Sequence, residues 1–357
     1  MNGKHMTHVL AVAAAGVMAF ACSPEPVHVA IMTKLEAGSL VGSSEVNAAH
    51  MAIEDMGMNG MVVVDAYDDG WIPEKTELAW DSIRKDGIDL VITSHVSSCA
   101  IALARLAADQ DVLIFVTGAT TTELTGKADR FVRNVPDLND EQTDIAAWVR
   151  AKAPASILIV CDTDNDAYTK PALKVFTSEL GGIPWRTVSV SMRAIDADAV
   201  RAGMEAAPYD LLYFLIGGYL STTGVLAQLG RLVQPECVVL FTPWMKTPAL
   251  LETAGSALDG AYLPSFYPAR GTDSRVDSYI DRYKAKYGYA PTFISLNVYS
   301  AMEILLDRIR QGIRSPGKIL DSIVGTEVQT SFGPLSFDRY GDNQRPVYMI
   351  DDIAGEF

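Results

Sequence analysis

Two kinds of pattern alternate along the chain. Residues 27–33, 61–67, 90–94, 112–117 and 131–135 are rich in Val and Ile, and their hydrophobicity is continuous, as in strands covered on both faces. Between them, 45–56 places Val46, Ala49, Ile53 and Met56 on one helical face, and 74–85 and 100–109 behave similarly. The alternation restarts with strands at 156–161, 187–191, 211–216 and 238–242, separated by helices near 170–180, 197–206 and 220–232. This order predicts an α/β protein with two Rossmann-like, doubly wound lobes built on parallel sheets, each of about four or five strands. The pattern then changes. A strand-like run at 261–267 is followed by helices at 274–287 and 293–312, then a hairpin-like segment at 332–338 with a turn at 338–342. Late helices that return to the first lobe would make the hinge a set of several crossovers. The expected first lobe is 27–137 plus 267–328, and the second is 138–266 plus 329–357.

Composition narrows the function. At 357 residues and 49% hydrophobic content, the chain can bury two cores and is not a disordered polymer. A formal charge of −15 opposes a phosphate backbone, so no nucleic acid is expected as a partner. Five His and four Cys are scattered without CxxC, HxxxH or HExxH, which removes a zinc site or a disulfide scaffold from consideration.

Residues 1–21 read as an export signal: Lys4 without an acid, then an apolar run from 9 to 21, too short for a hydrocarbon layer of about 30 Å. Ala19 and Ala21 before Cys22 resemble a lipoprotein signal, in which the Cys22 thiol is acylated and becomes the new N-terminus; the alternative is an ordinary cleaved signal that contains Cys22. Acylation would leave Cys99, Cys161 and Cys237, an odd set with no disulfide expected; Cys161 and Cys237 fall in strand-like runs and read as small buried hydrophobes. The expected location is the periplasm, with a lipid anchor.

No GxSxG, GxGxxG or GxxxxGK[ST] is present. Asp162, Asp164 and Asp166 begin like a calcium loop, but Ala167 stands at the glycine position and Leu173 at the twelfth. His95 beside Ser97 and Ser98 lacks a third partner for nucleophilic catalysis. Asp68–Asp69 read as a solvated strand end or hinge. No enzyme, cofactor or metal site is expected. Three strand ends are more informative, because ligands of doubly wound sheets bind outside the strands' carboxyl ends. One carries Ser97 and Ser98, one Gly118, Thr120 and the neighbouring threonines, and one Gly217-Gly218-Tyr219. Small hydroxyl residues at helix N-termini offer donors to an anionic group, the glycines permit close approach, and Tyr219 can close over a ligand.

The residues Asp65-Ala66-Tyr67-Asp68-Asp69, Ser97-Ser98, Ala119 to Thr125, Phe131-Val132-Arg133-Asn134, Gly217-Gly218-Tyr219 and Phe332 to Asp338 occur in an order and spacing that resembles the type I periplasmic binding proteins, in the leucine/isoleucine/valine-binding branch. The resemblance covers about residues 27–350. It implies a ligand carboxylate held by Ser97 or Ser98 and by the turn at Gly118 and Thr120, with Tyr168 and Tyr219 closing from the second lobe. It also implies an ABC permease as membrane partner, with a ligand-sensing module for a separate receptor as the alternative. Two departures bear on the ligand. Pro243 is followed by Trp244 where amino-acid-binding members carry an acid for the ligand ammonium, and the first-lobe loop reads Ser39-Leu40-Val41-Gly42 where relatives often carry an aromatic. Gly70 and Trp71 stand where some relatives have one cysteine of a pair. A buried ammonium without a counter-charge is costly. Either Trp244 faces a carboxylate or amide that lacks a free amine, or it turns into the core and another acid, Asp137 or Glu36, meets an amine.

Overall fold

The computed structural model describes residues 25–35, 40–94, 96–218 and 220–357; the leader with Cys22, as well as Glu36, Ser39, His95 and Tyr219, lie outside the described residues. The first half of the fold runs β1 (Val27–Thr33), α1 (Leu40–Asp55), β2 (Val62–Asp68), α2 (Pro73–Lys85), β3 (Leu90–Thr93), α3 (Ser97–Ala107), β4 (Leu113–Val116) and β5 (Phe131–Arg133). Its strands form one parallel sheet in the order β2-β1-β3-β4-β5. β3 and β4 are buried at every position, which is why they read as unbroken apolar runs.

A second set follows: α4 (Leu138–Lys152), β6 (Ile157–Asp162), α5 (Asp166–Ser178), β7 (Trp185–Val190), α6 (Ala197–Glu205), β8 (Leu211–Leu215), α7 (Leu220–Val233), β9 (Val238–Leu240) and α8 (Pro248–Ala254). Its parallel sheet has the order β7-β6-β8-β9. β10 (Leu263–Ser265) continues from it through a bridge between Leu240 and Tyr262. The sequence pattern did not announce α4. Glu141 at the end of its first turn and Gln142 after it lie in the interior, so the helix lacks the clean polar face that periodicity detects.

The chain then returns. α9 (Ser274–Tyr287) and α10 (Phe293–Arg310) pack against α1, with the Tyr287 hydroxyl donating to the Asn47 carbonyl (3.1 Å) and a hydroxyl–hydroxyl bond between Ser44 and Ser295. After α11 (Pro316–Asp321), the hairpin β11 (Glu327–Thr330) and β12 (Gly333–Ser336) also lies against this side, touching α10. Strand pairing begins at Glu327, earlier than the sequence pattern indicated, and Ser331–Phe332 make the turn, with Gly333 at φ 113°. Of the segment 329–357, expected wholly in the second lobe, the part up to Asp342 packs on the first sheet. Asp342 accepts two bonds from the buried Arg133 of β5 (2.8 and 2.6 Å), and the Gly341 carbonyl accepts from Arg133 N (2.9 Å). An interior guanidinium at a sheet edge requires that acid. Only β13 (Tyr348–Ile350) and the C-terminal turn join the second half, where β13 pairs with β10.

Three segments therefore connect the halves, at 134–137, 266–273 and 343–347, and one polar knot ties them. Asn297 of α10 donates to the Thr117 carbonyl (2.9 Å), accepts from the Tyr267 hydroxyl (2.8 Å), and receives Asn134 Nδ2 at its carbonyl (2.7 Å). Arg345 donates to the carbonyls of Asn134 (3.2 Å) and Phe266 (2.9 Å) and stacks 4.2 Å from the Tyr267 ring centre. Cys99, Cys161 and Cys237 are buried free thiols.

Candidate functional site

Both sheets point their carboxyl ends at the same gap, and α3 faces α5 across it. An inner cavity lies there, and it opens into a wider outer cleft. The first half contributes Val41, Ser94, Ser97, Gly118 and Trp71 to the inner cavity, and the second half contributes Asn165, Tyr168, Gly217, Gly218 and Trp244.

The residues singled out from sequence distribute as follows. Ser97, Gly118, Tyr168 and Trp244 line the inner cavity together. Ser98 faces the outer cleft. Thr120 lines neither; it is fully buried, its hydroxyl is among the buried polar atoms without a hydrogen-bond partner, and its carbonyl accepts from Leu138 N (2.8 Å). Gly118 has a packing reason to lack a side chain, since a Cβ there would sit 2.4 Å from the Ser94 carbonyl oxygen. Ser97 is the first residue of α3, so its backbone N–H precedes the first intrahelical bonds, which run from Cys99 and Ala100 to the Val96 carbonyl. That end of the helix carries a partial positive charge and free donors.

Trp244 does not turn away from the cleft. It stands between Tyr168 (6.2 Å between ring centres), Phe266 (5.8 Å) and Phe293 (5.4 Å), with one face on the cavity. Of the acids offered to meet an amine, Asp137 is committed to the N-cap of α4, accepting from Asn139 N and Asp140 N.

Trp71 was missed. Asp68, the exposed last residue of β2, accepts from Gly70 N (3.1 Å), as expected of a solvated strand end; Asp69 is buried and accepts from Trp71 N (3.0 Å), so the pair also builds a tight turn. The turn holds Trp71 at φ 58°, a left-handed conformation that costs a non-glycine residue about 1–2 kcal/mol. In return the indole reaches across the cleft: its Cζ3 would lie 3.9 Å from a Cβ at Gly218. Its buried Nε1–H has no partner.

Three of the buried carboxyl groups around the cavity have raised pKa values. Glu45 of α1 sits behind Ser94, whose hydroxyl bonds it; burial, with a smaller push from Asp69, raises its pKa to about 8. Glu141 accepts from the Tyr168 hydroxyl (2.6 Å) and from Gln142 (2.8 Å), and burial raises it to about 7. Burial raises Asp162, in the outer cleft, to about 6. Among the described residues, none that lines the inner cavity is ionisable at neutral pH, Tyr168 being held well above its usual value. Among the described residues no group of His, Cys, Asp and Glu forms a metal site.

Two parallel α/β lobes facing one another across such a cavity define a two-lobed solute-binding protein. A profile of the family described as periplasmic binding protein matches residues 28–351. The Leu/Ile/Val-binding protein of Citrobacter freundii is 24% identical over 313 residues, covering 84% of this chain and 83% of that one. Among solved structures, a solute-binding protein of an ABC transporter from Rhodopseudomonas palustris BisB5, in complex with 3,4-dihydroxybenzoic acid, superposes with a TM-score of 0.80 at 18% identity, covering 91% of this chain and 92% of that one. The branched-chain amino acid transporter substrate-binding protein LivJ of Streptococcus pneumoniae, in complex with isoleucine, gives 0.80 at 17% identity, with coverages of 91% and 95%. The chain belongs to the periplasmic binding protein family, as a type I solute-binding protein.

Proposed function

We propose that this protein captures a small carboxylate with an aromatic or other flat apolar body and delivers it to an ABC permease, closing by rotation about the three-segment hinge. The observation that carries the reading is the inner cavity itself. It has aromatic walls from Trp71, Tyr168 and Trp244, hydroxyls and a helix N-terminus at Ser94 and Ser97, and, among the described residues, no acidic side chain in its lining. The α3 terminus suits a carboxylate; an α-ammonium beside it would be buried without a counter-charge. Ser97 and Gly118 are assigned to the carboxylate, and Tyr168 and Trp244, together with Tyr219, to the body. Ser98 and Thr120 act from the periphery. Solved neighbours carry both ligand types, benzoate in one from R. palustris and isoleucine in that from S. pneumoniae, so the choice rests on the cavity lining. Export by residues 1–21 and acylation of Cys22 complete the proposed life of the chain.

The test is a thermal-shift screen of residues 23–357 with leucine, isoleucine, valine and phenylalanine against their des-amino acids, their amides and benzoate. A ligand at a hundred times its Kd adds about 2.7 kcal/mol of stability. Stabilisation by compounds without an amine is expected; stabilisation by the amino acids alone would refute the carboxylate reading.

A further inference from the structure

The second-lobe wall of the cleft carries three buried polar atoms that lack hydrogen-bond partners: Asp162 Oδ2, Asn165 Oδ1 and Thr247 Oγ1. Their residues are 1%, 8% and 3% exposed, and each lines the cleft. Asn165 and Thr247 line the inner cavity too, so the three mark its passage into the outer cleft. The other Asp162 oxygen is fixed by Asp164 N (2.8 Å), which satisfies the turn after β6 and leaves Oδ2 over. Asn165 makes no side-chain cap to α5, and Thr247 none to α8, although each stands at the capping position. Local structure thus accounts for none of the three atoms, and unpaired buried acceptors are rare in native proteins.

The opposite wall has the reverse character. Trp71 Nε1–H and the N-terminus of α3 are donors. A ligand spanning the cleft therefore meets donors at its first-lobe end and, at its second-lobe end, two oxygens that accept, from Asp162 and Asn165, and a Thr247 hydroxyl that can accept or donate. The charges of the outer cleft agree, since Glu74, Asp162, Asp164 and Glu252 outnumber Lys34 and Arg193.

We propose that Asp162, Asn165 and Thr247 form a second polar subsite, which accepts hydrogen bonds from a donor group, hydroxyl or ammonium, at the end of the ligand remote from its carboxylate. A site built to hydrogen-bond such a group discriminates strongly against the analogue without it. The subsite rests on the carboxylate reading above, and one experiment separates the two. Isothermal titration compares benzoate, 4-hydroxybenzoate and 4-(aminomethyl)benzoate on the wild type, Asp162→Asn and Thr247→Val, with far-UV melting to confirm that both variants fold. At least one donor-bearing probe is expected to bind at least about tenfold more tightly than benzoate, with that advantage falling at least about fivefold in one variant while benzoate changes little. A loss confined to the ammonium probe in Asp162→Asn identifies a cationic ligand end; a loss for the hydroxyl probe in Thr247→Val identifies a neutral one. Equal binding of all three probes, or an advantage that survives both substitutions, overturns the subsite and leaves the carboxylate reading standing. If none of the three binds, both fall.

Discussion

Replacing Glu45 by glutamine separates the charge of this buried side chain from its shape. In the unfolded chain the carboxyl titrates near 4.5, and in the folded protein near 8, because burial opposes the charged form. The folded state therefore holds a proton that the unfolded chain releases at a lower pH. This contribution to stability is fully present below about pH 4.5 and is lost as the pH rises towards 8. From the two values, holding the proton costs about 4 kcal/mol at pH 8 but less than about 1 kcal/mol at pH 5, a difference of about 3–4 kcal/mol. Glutamine can still accept from the Ser94 hydroxyl and has no proton to lose. Urea unfolding of both proteins at pH 5 and pH 8, without ligand, should show the variant gaining roughly that amount on the wild type as the pH rises. Glu141, also raised, is common to both proteins and cancels. Parallel pH profiles would refute the reasoning and place a charged Glu45 in the folded core.

Three further outcomes follow from the geometry. Trp71→Gly relieves the left-handed backbone, so stability should stay level or rise by about 1 kcal/mol in a thermal melt, while the affinity for a benzoate probe falls at least about tenfold by calorimetry; unchanged affinity would remove Trp71 from the site. Arg345→Ala strips charged donors from the carbonyls of Asn134 and Phe266 and should cost about 3 kcal/mol in urea, and Arg345→Lys, lacking the planar fork, should not restore it. Cys22→Ser should move the protein from the membrane to the soluble fraction on cell fractionation, and retention in the membrane would count against acylation at that residue.

The sheets were legible in the sequence because strands covered on both faces leave continuous apolar runs, and the cavity was approachable because Ser97, Gly118, Tyr168 and Trp244 fall just after such runs or at a helix start. What escaped has no local signature. Glu45 and Glu141 occupy positions on helices where an acid ordinarily faces water, and only tertiary packing encloses them, Glu45 against Ser94 after β3 and Glu141 against Tyr168 of α5. Trp71 depends on two carboxylates bending the chain before it, a pattern that reads as solvent-loving. Thr120 has the right residue type but lies behind Glu141, because the loop turns inward to meet Leu138. The knot around Asn297 joins residues brought together from five parts of the chain, which no window of sequence can reveal.

The bond between Ser44 and Ser295 spans 251 positions. The first lobe thus has no finished core when its own five strands have been made: the face of α1 bearing Ala48, Ala49 and Ala52 waits for α10. Contacts of such separation form only after a large loop has been closed, which slows folding whatever the final stability. The amino-terminal lobe is therefore among the last parts of this protein to mature, and a chain cut short before α10 would expose a sticky half-structure and not a smaller working domain.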